Sequence, residues 1–218
     1  MTSPTASSAP KSPEDRQAHW QRVYAGTTPD RVSWYRPHLE ASLGLIERIV
    51  PDPATPMIDI GGGASTLADD LLARGYRNLT VLDVAAAALQ SAQQRLGSAA
   101  GQVQWLTADI LTANLPAAAY DLWHDRAVFH FLTAPEDRAA YVRQLVHSLR
   151  PGGHALLSTF GPEGPTRCSG LDVVRYDAPG LLRELGPRFH LVASFTDLHQ
   201  TPSGAVQQFL YCHAVLES

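Results

Sequence analysis

Short apolar segments alternate with helical segments from residue 56 onward, and this alternation restricts the fold more than any other feature. Seven segments have the length and composition of strands, at residues 57–60, 79–84, 103–107, 120–123, 154–160, 190–196 and 207–216. Strands that alternate with helices indicate right-handed crossovers and a mainly parallel sheet. Only the last two strands lack an intervening helix, so we expect them to run antiparallel to each other. The pattern predicts an α/β fold.

A glycine-rich turn connects the first strand to the helix that follows it. Residues 59–65 read Asp-Ile-Gly-Gly-Gly-Ala-Ser. Glycines allow positive φ and let a ligand approach the backbone closely, and the first turn of an open α/β sheet is where nucleotides bind. No Gly-Lys-Ser/Thr follows, so the turn is not a phosphate loop. The turn also departs from GxGxxG, because Thr66 stands in place of the last glycine. A tight strand-to-helix turn without a ligand is the alternative.

Acidic residues follow the second and third strands at the same edge of the predicted sheet. Asp83 closes the second strand, where a carboxylate typically accepts hydrogen bonds from a ribose hydroxyl pair. It is equally well placed to cap the next helix. Asp109 follows the third strand. Because parallel strands end at one edge, we expect both carboxylates near the glycine turn.

The composition excludes several classes of protein. The 218 residues are enough for one α/β domain, and the net charge of −4 argues against nucleic acid or an anionic membrane as a partner. Two cysteines exclude a disulfide-rich scaffold and a four-cysteine zinc site. No apolar run has the length of a transmembrane helix, and the first residues lack the pattern of a secretory signal. We therefore expect a cytoplasmic protein that binds no metal.

The N-terminal part is predicted to be helical after a short tail. Residues 1–11 are rich in Ser, Thr, Pro and Ala, which predicts a disordered tail. Ser12 can cap a helix that ends at Gly26, and Pro37 opens a second helix. We expect residues 12–218 to form a single domain, in which residues 12–50 are an N-terminal helical part.

Two later helices have marked starts. Thr133 stands three residues before Glu136, which is the spacing of a capping box. Asp177 precedes an amphipathic segment that is closed by Gly186. We expect Thr133 and Asp177 to be the N-cap residues of these helices.

The chain resembles the class I S-adenosylmethionine-dependent methyltransferases over residues 14–216. The segments that carry this resemblance are residues 59–65, 81–83, 108–110, 120–122 and 149–153. The resemblance implies a Rossmann-like, doubly wound sheet of seven strands, with helices on both faces and the last strand antiparallel. It implies S-adenosylmethionine as the cofactor and S-adenosylhomocysteine as the product. The glycine turn would cradle the methionine part, Asp83 the ribose, and Asp109 with Ile110 the adenine.

The N-terminal part is similar to the lid of a subgroup that includes small bacterial enzymes and eukaryotic protein-lysine methyltransferases. Aromatic rings in this part can cover the sulfonium, since rings stabilise soft cations. They can equally serve only to attach the first helix to the domain. The residues expected at the cofactor are Asp59, Gly61, Gly62, Gly63, Asp83, Val84, Asp109, Ile110, Trp20, Tyr24 and Trp34.

Candidate acceptor-side residues follow the fourth strand, on the face where ligands bind. His124 and His130 are the candidates for a base, if the acceptor needs one, and both can equally be packing residues. The other residues expected in the acceptor pocket are Tyr35, Asp125, Arg126, Cys168 and His199. We place Cys168 in a loop after the fifth strand and His199 in the turn before the last strand. A soft-metal site at these two residues is less favoured than a polar wall.

These observations predict methyl transfer from S-adenosylmethionine to a small molecule with a soft or neutral nucleophile, such as a thiol or an amine. Protein-lysine methylation is an alternative with the same fold. A module that binds the cofactor without catalysis is an alternative of another class, and an NAD oxidoreductase is disfavoured by the departure from GxGxxG. The predicted enzyme is a monomer or a homodimer.

Overall fold

The computed structural model describes residues 12–217, which form a seven-stranded sheet with helices on both faces. The predicted tail at residues 1–11 lies outside the described residues. The strands are β1 Met57–Ile60, β2 Leu79–Asp83, β3 Val103–Thr107, β4 Tyr120–Arg126, β5 Leu149–Phe160, β6 Arg167–Cys168, β7 Leu171–Asp172, β8 Phe189–Gln200 and β9 Val206–Leu216. The helices are α1 Pro13–Gly26, α2 Glu40–Ile49, α3 Leu67–Ala73, α4 Ala86–Leu96, α5 Pro135–Ser148 and α6 Ala178–Leu185.

The strand order in the main sheet is β3-β2-β1-β4-β5-β9-β8. The first five strands pair in parallel, whereas β9 is antiparallel to both of its neighbours, β5 and β8. This order confirms the predicted doubly wound sheet with an antiparallel last strand. It also places the turns after β1, β2, β3 and β4 along one edge of the sheet.

The two faces of the sheet are covered by different helices. Apolar residues of α2, α3 and α4 pack on one face with Leu122 of β4, and those of α5 and α6 pack on the other with Trp123. Successive side chains of a strand point to opposite faces. All four residues of β1 are buried, as expected for a central strand between two helical layers.

Helix α1 begins as the sequence predicts and lies across the carboxyl edge of the sheet. The side chain of Ser12 accepts a hydrogen bond from the amide of Asp15 at 3.1 Å, and Pro13 is the first helical residue. The Asp177 side chain likewise caps α6 by accepting from the amide of Gly180. No helix within residues 12–217 is long and apolar enough to cross a bilayer.

Several boundaries differ from the sequence predictions. Strand β5 starts at Leu149 rather than at residue 154, and α2 starts at Glu40 rather than at Pro37. Strand β4 continues through Arg126 rather than ending at residue 123, because its polar residues find partners on both faces of the sheet. Strand β8 continues through Gln200, so His199 lies in a strand and not in the following turn. Helix α5 starts after Ala134, and Thr133 makes no capping bond, so the predicted capping box is wrong.

Candidate functional site

A deep cavity lies at the carboxyl edge of the sheet, beneath α1 and the loop that follows it. It contains about 1210 Å³ of empty space, including the part that opens to solvent. Its wall is formed by residues of α1, of the loop before α2, of the ends of β1 to β4 and of β6. Such a site, at the end of parallel strands and mostly apolar, is where ligands bind in open α/β sheets.

The glycine turn forms the floor of this cavity at the end of β1. Gly61 has a φ of +66° and Gly63 a φ of +44°, which is the left-handed region that favours glycine. A side chain at Gly61 would collide with Val128, and one at Gly62 would collide with the carboxylate of Asp59. Gly61 and Gly62 line the cavity, whereas Gly63 lies against Asp83 and Tyr24, next to the cavity wall. The turn therefore needs glycine for its path and for its closeness to neighbours.

All three carboxylates predicted at the cofactor, Asp59, Asp83 and Asp109, line the cavity next to this turn. Asp83 is 5% exposed, and its Oδ1 accepts a hydrogen bond from the amide of Ala85 at 2.8 Å. Burial raises the pKa of Asp83 to about 7. Asp109 accepts from the amide of Leu111 at 2.9 Å, and Ile110 lies on the wall beside it. Asp83 thus stabilises the start of α4 and also lines the cavity. This position is compatible with both predicted roles, capping of the helix and binding of a ribose.

Aromatic rings of the N-terminal part form the roof of the cavity. Trp20 packs edge to face on Trp34 and Phe131, with ring centroids 5.9 and 4.9 Å apart, and Tyr24 packs on Trp34 at 6.3 Å. Tyr35 also lines the cavity. Burial raises the pKa of Tyr24. Sequence reasoning missed Phe131, although its place in an aromatic segment just after β4 was a usable signal.

An ion pair connects this roof to the third strand. Arg16 of α1 donates from Nε to Oδ2 of Asp109 at 2.7 Å, and both side chains are largely buried. Charge alone does not predict this contact, because the two residues are far apart in the chain. The pair holds α1 over the turn that follows β3.

His124 lines the cavity, but both of its ring nitrogens are bonded within the protein. Nδ1 lies 2.7 Å from Oδ1 of Asp59, and Nε2 lies 2.9 Å from Oγ of Ser42 on α2. A carboxylate can only accept, so Nδ1 carries the proton toward Asp59. The ring is 3% exposed. This arrangement orients Asp59 and leaves no ring nitrogen for an acceptor in this conformation.

His130 lies outside the cavity wall, so the prediction that it faces the acceptor is wrong. The ring is fully buried between Phe131 and Phe160, and its Nδ1 accepts the amide of Phe160 at 3.1 Å. Burial, with a smaller contribution from the nearby charge of Arg126, lowers the pKa of His130 to about 3. The ring is therefore a neutral packing residue at physiological pH.

Asp125 also lies away from the cavity, contrary to the prediction. It is fully buried on the α5 face of β4, where it accepts from the amides of Val128 and Phe129 and from the hydroxyl of Tyr141. Burial raises its pKa to about 6. These bonds shape the tight turn after β4, in which Ala127 has a φ of +72°. Asp125 thus stabilises the turn next to the cavity wall but does not itself line the cavity.

Arg126 and Cys168 do line the cavity, opposite the acidic side. Arg126 donates from Nη1 to the carbonyl of Trp34 at 3.0 Å, and its guanidinium lies 4.4 Å from the ring centre of Phe209. The Cys168 thiol lies 3.9 Å from the hydroxyl of Ser33, and burial raises its pKa. Cys168 belongs to the β6–β7 hairpin, which replaces part of the predicted loop.

His199 is not part of the cavity wall. Its Nδ1 accepts from Nε of Arg36 at 3.0 Å, and its Nε2 donates to the carbonyl of Ser33 at 2.7 Å. Burial lowers the pKa of His199. The ring therefore fastens the loop before α2 to β8. Among residues 12–217, no three His, Cys, Asp or Glu side chains are grouped so as to hold a metal ion.

Comparisons with known proteins agree with this geometry. Residues 57–153 match a family described as a methyltransferase domain. The chain is 34% identical, over 75% of its own length and 61% of the relative's, to a malonyl-[acyl-carrier protein] O-methyltransferase of Anoxybacillus flavithermus. It thus spans about three fifths of that relative.

Solved structures share the fold at low sequence identity. An S-adenosylmethionine-dependent methyltransferase from Anabaena variabilis superposes with a TM-score of 0.73 and 17% identity, over 99% of this chain and 100% of that one. A 1,6-didemethyltoxoflavin-N1-methyltransferase of Burkholderia thailandensis, bound to S-adenosylhomocysteine, gives 0.72 and 18%, over 100% and 94%. These likenesses concern the fold.

The sheet order and the glycine turn at its carboxyl edge define a Rossmann-like protein with a nucleotide-type site. Residues 57–153 match a methyltransferase domain, and solved structures with this fold are S-adenosylmethionine-dependent methyltransferases, in agreement with the resemblance in the sequence. S-adenosylmethionine is the cofactor of this class.

Proposed function

We propose that this protein transfers the methyl group of S-adenosylmethionine to a small-molecule acceptor with a soft or neutral nucleophile, such as a thiol or an amine. The observation that carries this proposal is the order of groups along one wall. The glycine turn follows β1, Asp83 ends β2 and Asp109 follows β3, and residues at all three places line one continuous cavity. That order suits the methionine, ribose and adenine parts of one extended molecule.

The cofactor-side residues then have separate roles. Gly61 and Gly62 leave room for the methionine part, and Asp59, oriented by His124, accepts from its ammonium group. Asp83 accepts from the ribose hydroxyls, and Val84 and Ile110 contact the adenine. His124 is a positioning residue in this scheme, and no side chain is assigned as a general base.

Methyl transfer makes modest chemical demands on the protein. A lone pair of the acceptor forms a bond to the methyl carbon while the carbon–sulfur bond breaks, and the thioether leaves with that electron pair. The positive charge moves to the acceptor atom, which then releases its proton to solvent. The protein contributes by positioning the acceptor in line and by excluding water. The rings of Trp20, Tyr24 and Trp34 provide a roof suited to a sulfonium.

The covered cavity favours a small acceptor over a protein lysine. Residues 12–50 serve as a lid in this proposal, because α1 and the loop before α2 lie over the site and are fastened to it by Arg16 and His199. The names of two of the proteins described above contain different acceptors, malonyl-[acyl-carrier protein] and 1,6-didemethyltoxoflavin. The acceptor of this chain therefore has to be inferred from its own site.

Two measurements test the proposal. Quenching of tryptophan fluorescence should report binding of S-adenosylhomocysteine but not of NAD, since Trp20 and Trp34 line the cavity. Transfer of radioactive methyl should then be screened against small thiols, small amines and denatured protein lysate. Labelled small molecules support the proposal, and label confined to protein lysine supports the alternative. Binding without transfer to any acceptor supports a non-catalytic module, and no binding contradicts the whole assignment.

A further inference from the structure

Three arginines line the cavity, Arg16, Arg36 and Arg126, and they differ in whether a carboxylate pairs with them. Arg16 is paired with Asp109 at 2.7 Å, and Arg36 is paired with Asp197 at 2.8 Å. Arg126 forms no ion pair with any carboxylate among residues 12–217. Its positive charge is therefore the one in this cavity wall that the described part of the chain leaves uncompensated.

The orientation of Arg126 leaves the donors on one edge of its guanidinium group without hydrogen-bond acceptors. Nη1 donates to the carbonyl of Trp34, and the flat face lies on the ring of Phe209. Nε and Nη2 are buried and have no hydrogen-bond acceptor within residues 12–217. These two nitrogens share one side of the guanidinium, and their N–H bonds point in parallel. Parallel N–H donors match the two oxygens of a carboxylate.

The position of Arg126 separates this edge from the acidic side of the cavity. Arg126 ends β4, whereas Asp83 ends β2 and Asp109 follows β3, two and three places away in the sheet. Neighbouring strands lie about 4.8 Å apart, so the two sites are about 10 to 14 Å apart along the edge. The contacts of Arg126 are instead with the loop before α2 and with β9.

We propose that Nε and Nη2 of Arg126 bind a carboxylate of the acceptor, so the acceptor is a small organic acid whose soft nucleophile is a separate atom. This inference rests on the proposed function and specifies its substrate class. An aliphatic or ring system between the two groups would lie against Trp34 and Cys168, which line the cavity beside Arg126. The planar fork favours a carboxylate over a single-atom anion.

The probes are 2-, 3- and 4-carbon mercapto acids, each compared with its own amide. Calorimetry measures their binding to the complex of the protein with S-adenosylhomocysteine. We expect at least one acid to bind about 10-fold or more tightly than its amide, because charge-assisted pairs exceed neutral ones. Arg126→Gln should abolish that preference, and Arg126→Lys, which keeps the charge but not the fork, should retain only part of it.

Arg167→Gln is the matched control. Arg167 lies on the β6–β7 hairpin next to Cys168, but its side chain is 55% exposed and already pairs with Asp172. Removing that charge should leave the acid-over-amide preference intact. Equal weakening by Arg126→Gln and Arg167→Gln would reduce the effect to general electrostatics and overturn the proposal.

A second arm separates the acceptor carboxylate from the carboxylate of the cofactor itself. S-adenosylhomocysteine carries an amino-acid group, and 5′-methylthioadenosine lacks it. If Arg126→Gln weakens binding of the first compound but not of the second, Arg126 holds the cofactor, and the proposal is wrong. The absence of any acid-over-amide preference in the wild-type complex also overturns it. Failure of the wild type to bind S-adenosylhomocysteine would instead contradict the proposed function.

Discussion

The two sides of the cavity are built in opposite ways. On the β1–β3 side, polar groups stand at strand ends and direct oxygens toward the cavity, as Asp83 and Asp109 do. On the β4–β8 side, the polar groups are bonded mostly to one another and to the backbone, as His130 and Asp125 are. The first side is arranged to bind, and the second is arranged to hold its shape around one buried, unpaired edge of Arg126. Apart from Arg126, mutations should therefore affect binding on the first side and stability on the second.

The largest effect is expected at Gly61. Gly61→Val should weaken S-adenosylhomocysteine binding by on the order of 100-fold or more, because the side chain meets Val128 at a φ of +66°. Gly204→Val is the control, since Gly204 also has positive φ but has open space around it. Calorimetric titration of both variants decides the matter. If Gly61→Val bound S-adenosylhomocysteine with unchanged affinity, the glycine turn would not be part of the cofactor-binding site.

Asp83 should produce the next largest effect. Asp83→Asn should weaken S-adenosylhomocysteine binding by about 10- to 100-fold, because charge-assisted hydrogen bonds are lost. Since the pKa of Asp83 is raised to about 7 by burial, wild-type affinity should also fall as the pH is lowered from 8 to 6. The Asn variant should lose this pH dependence. A folded Asp83→Asn protein with wild-type affinity would show that Asp83 only shapes α4.

His130 tests the second side of the comparison. His130→Ala should lower the free energy of unfolding by about 2 to 3 kcal/mol, because it leaves a cavity and removes the acceptor of the Phe160 amide. Affinity for S-adenosylhomocysteine should stay unchanged in the folded fraction. Chemical denaturation and calorimetry measure the two quantities separately. If the affinity for S-adenosylhomocysteine fell while the free energy of unfolding stayed unchanged, His130 would act in binding and not in packing.

The smallest expected effect is a loss of stability at acid pH. Burial lowers the pKa of His213 to about 4, and its Nε2 lies 3.0 Å from Nδ1 of His154 on the neighbouring strand. The unfolded chain binds protons near pH 6.5, so below that pH it binds more of them than the native state does. The melting temperature should therefore fall as the pH drops from 6.5 toward 4.

Two histidine variants sharpen this pH prediction. His213→Gln should reduce the fall in melting temperature, because one of the rings that resist protonation is gone. His190→Gln, at an exposed position on β8, should leave the fall unchanged. Identical melting curves for the wild type and His213→Gln across this pH range would show that the His154–His213 pair does not contribute.

Sequence reasoning succeeded where the relevant interactions are local. The strands β1, β2 and β3 are short, mostly apolar runs that end within two residues of a glycine or an acid, so their ends and the adjacent site residues could be predicted. The caps formed by Ser12 and Asp177 are local in the same sense, since each accepts from an amide three residues ahead.

Reasoning from the sequence failed where a polar residue has a distant partner. His124 and Asp125 read as a loop, yet they continue β4 because Asp59 and Tyr141 satisfy them within the sheet and from α5. His199 likewise lies in β8 rather than in the predicted turn, because Arg36 and the carbonyl of Ser33 form hydrogen bonds with its ring. The spacing of residues in the sequence does not indicate contacts between residues that are far apart in the chain.

The position of β9 in the sheet affects how the chain folds while it is being translated. β9 follows both β5 and β8 along the chain, yet it lies between them in the sheet and pairs with both. Until these residues leave the ribosome, the growing polypeptide exposes one long unpaired edge of β5, and β8 has no neighbour in the sheet. Such edges invite pairing with other chains. Productive folding of this half therefore waits for translation of β9, and premature termination within β9 would yield a polypeptide prone to aggregate.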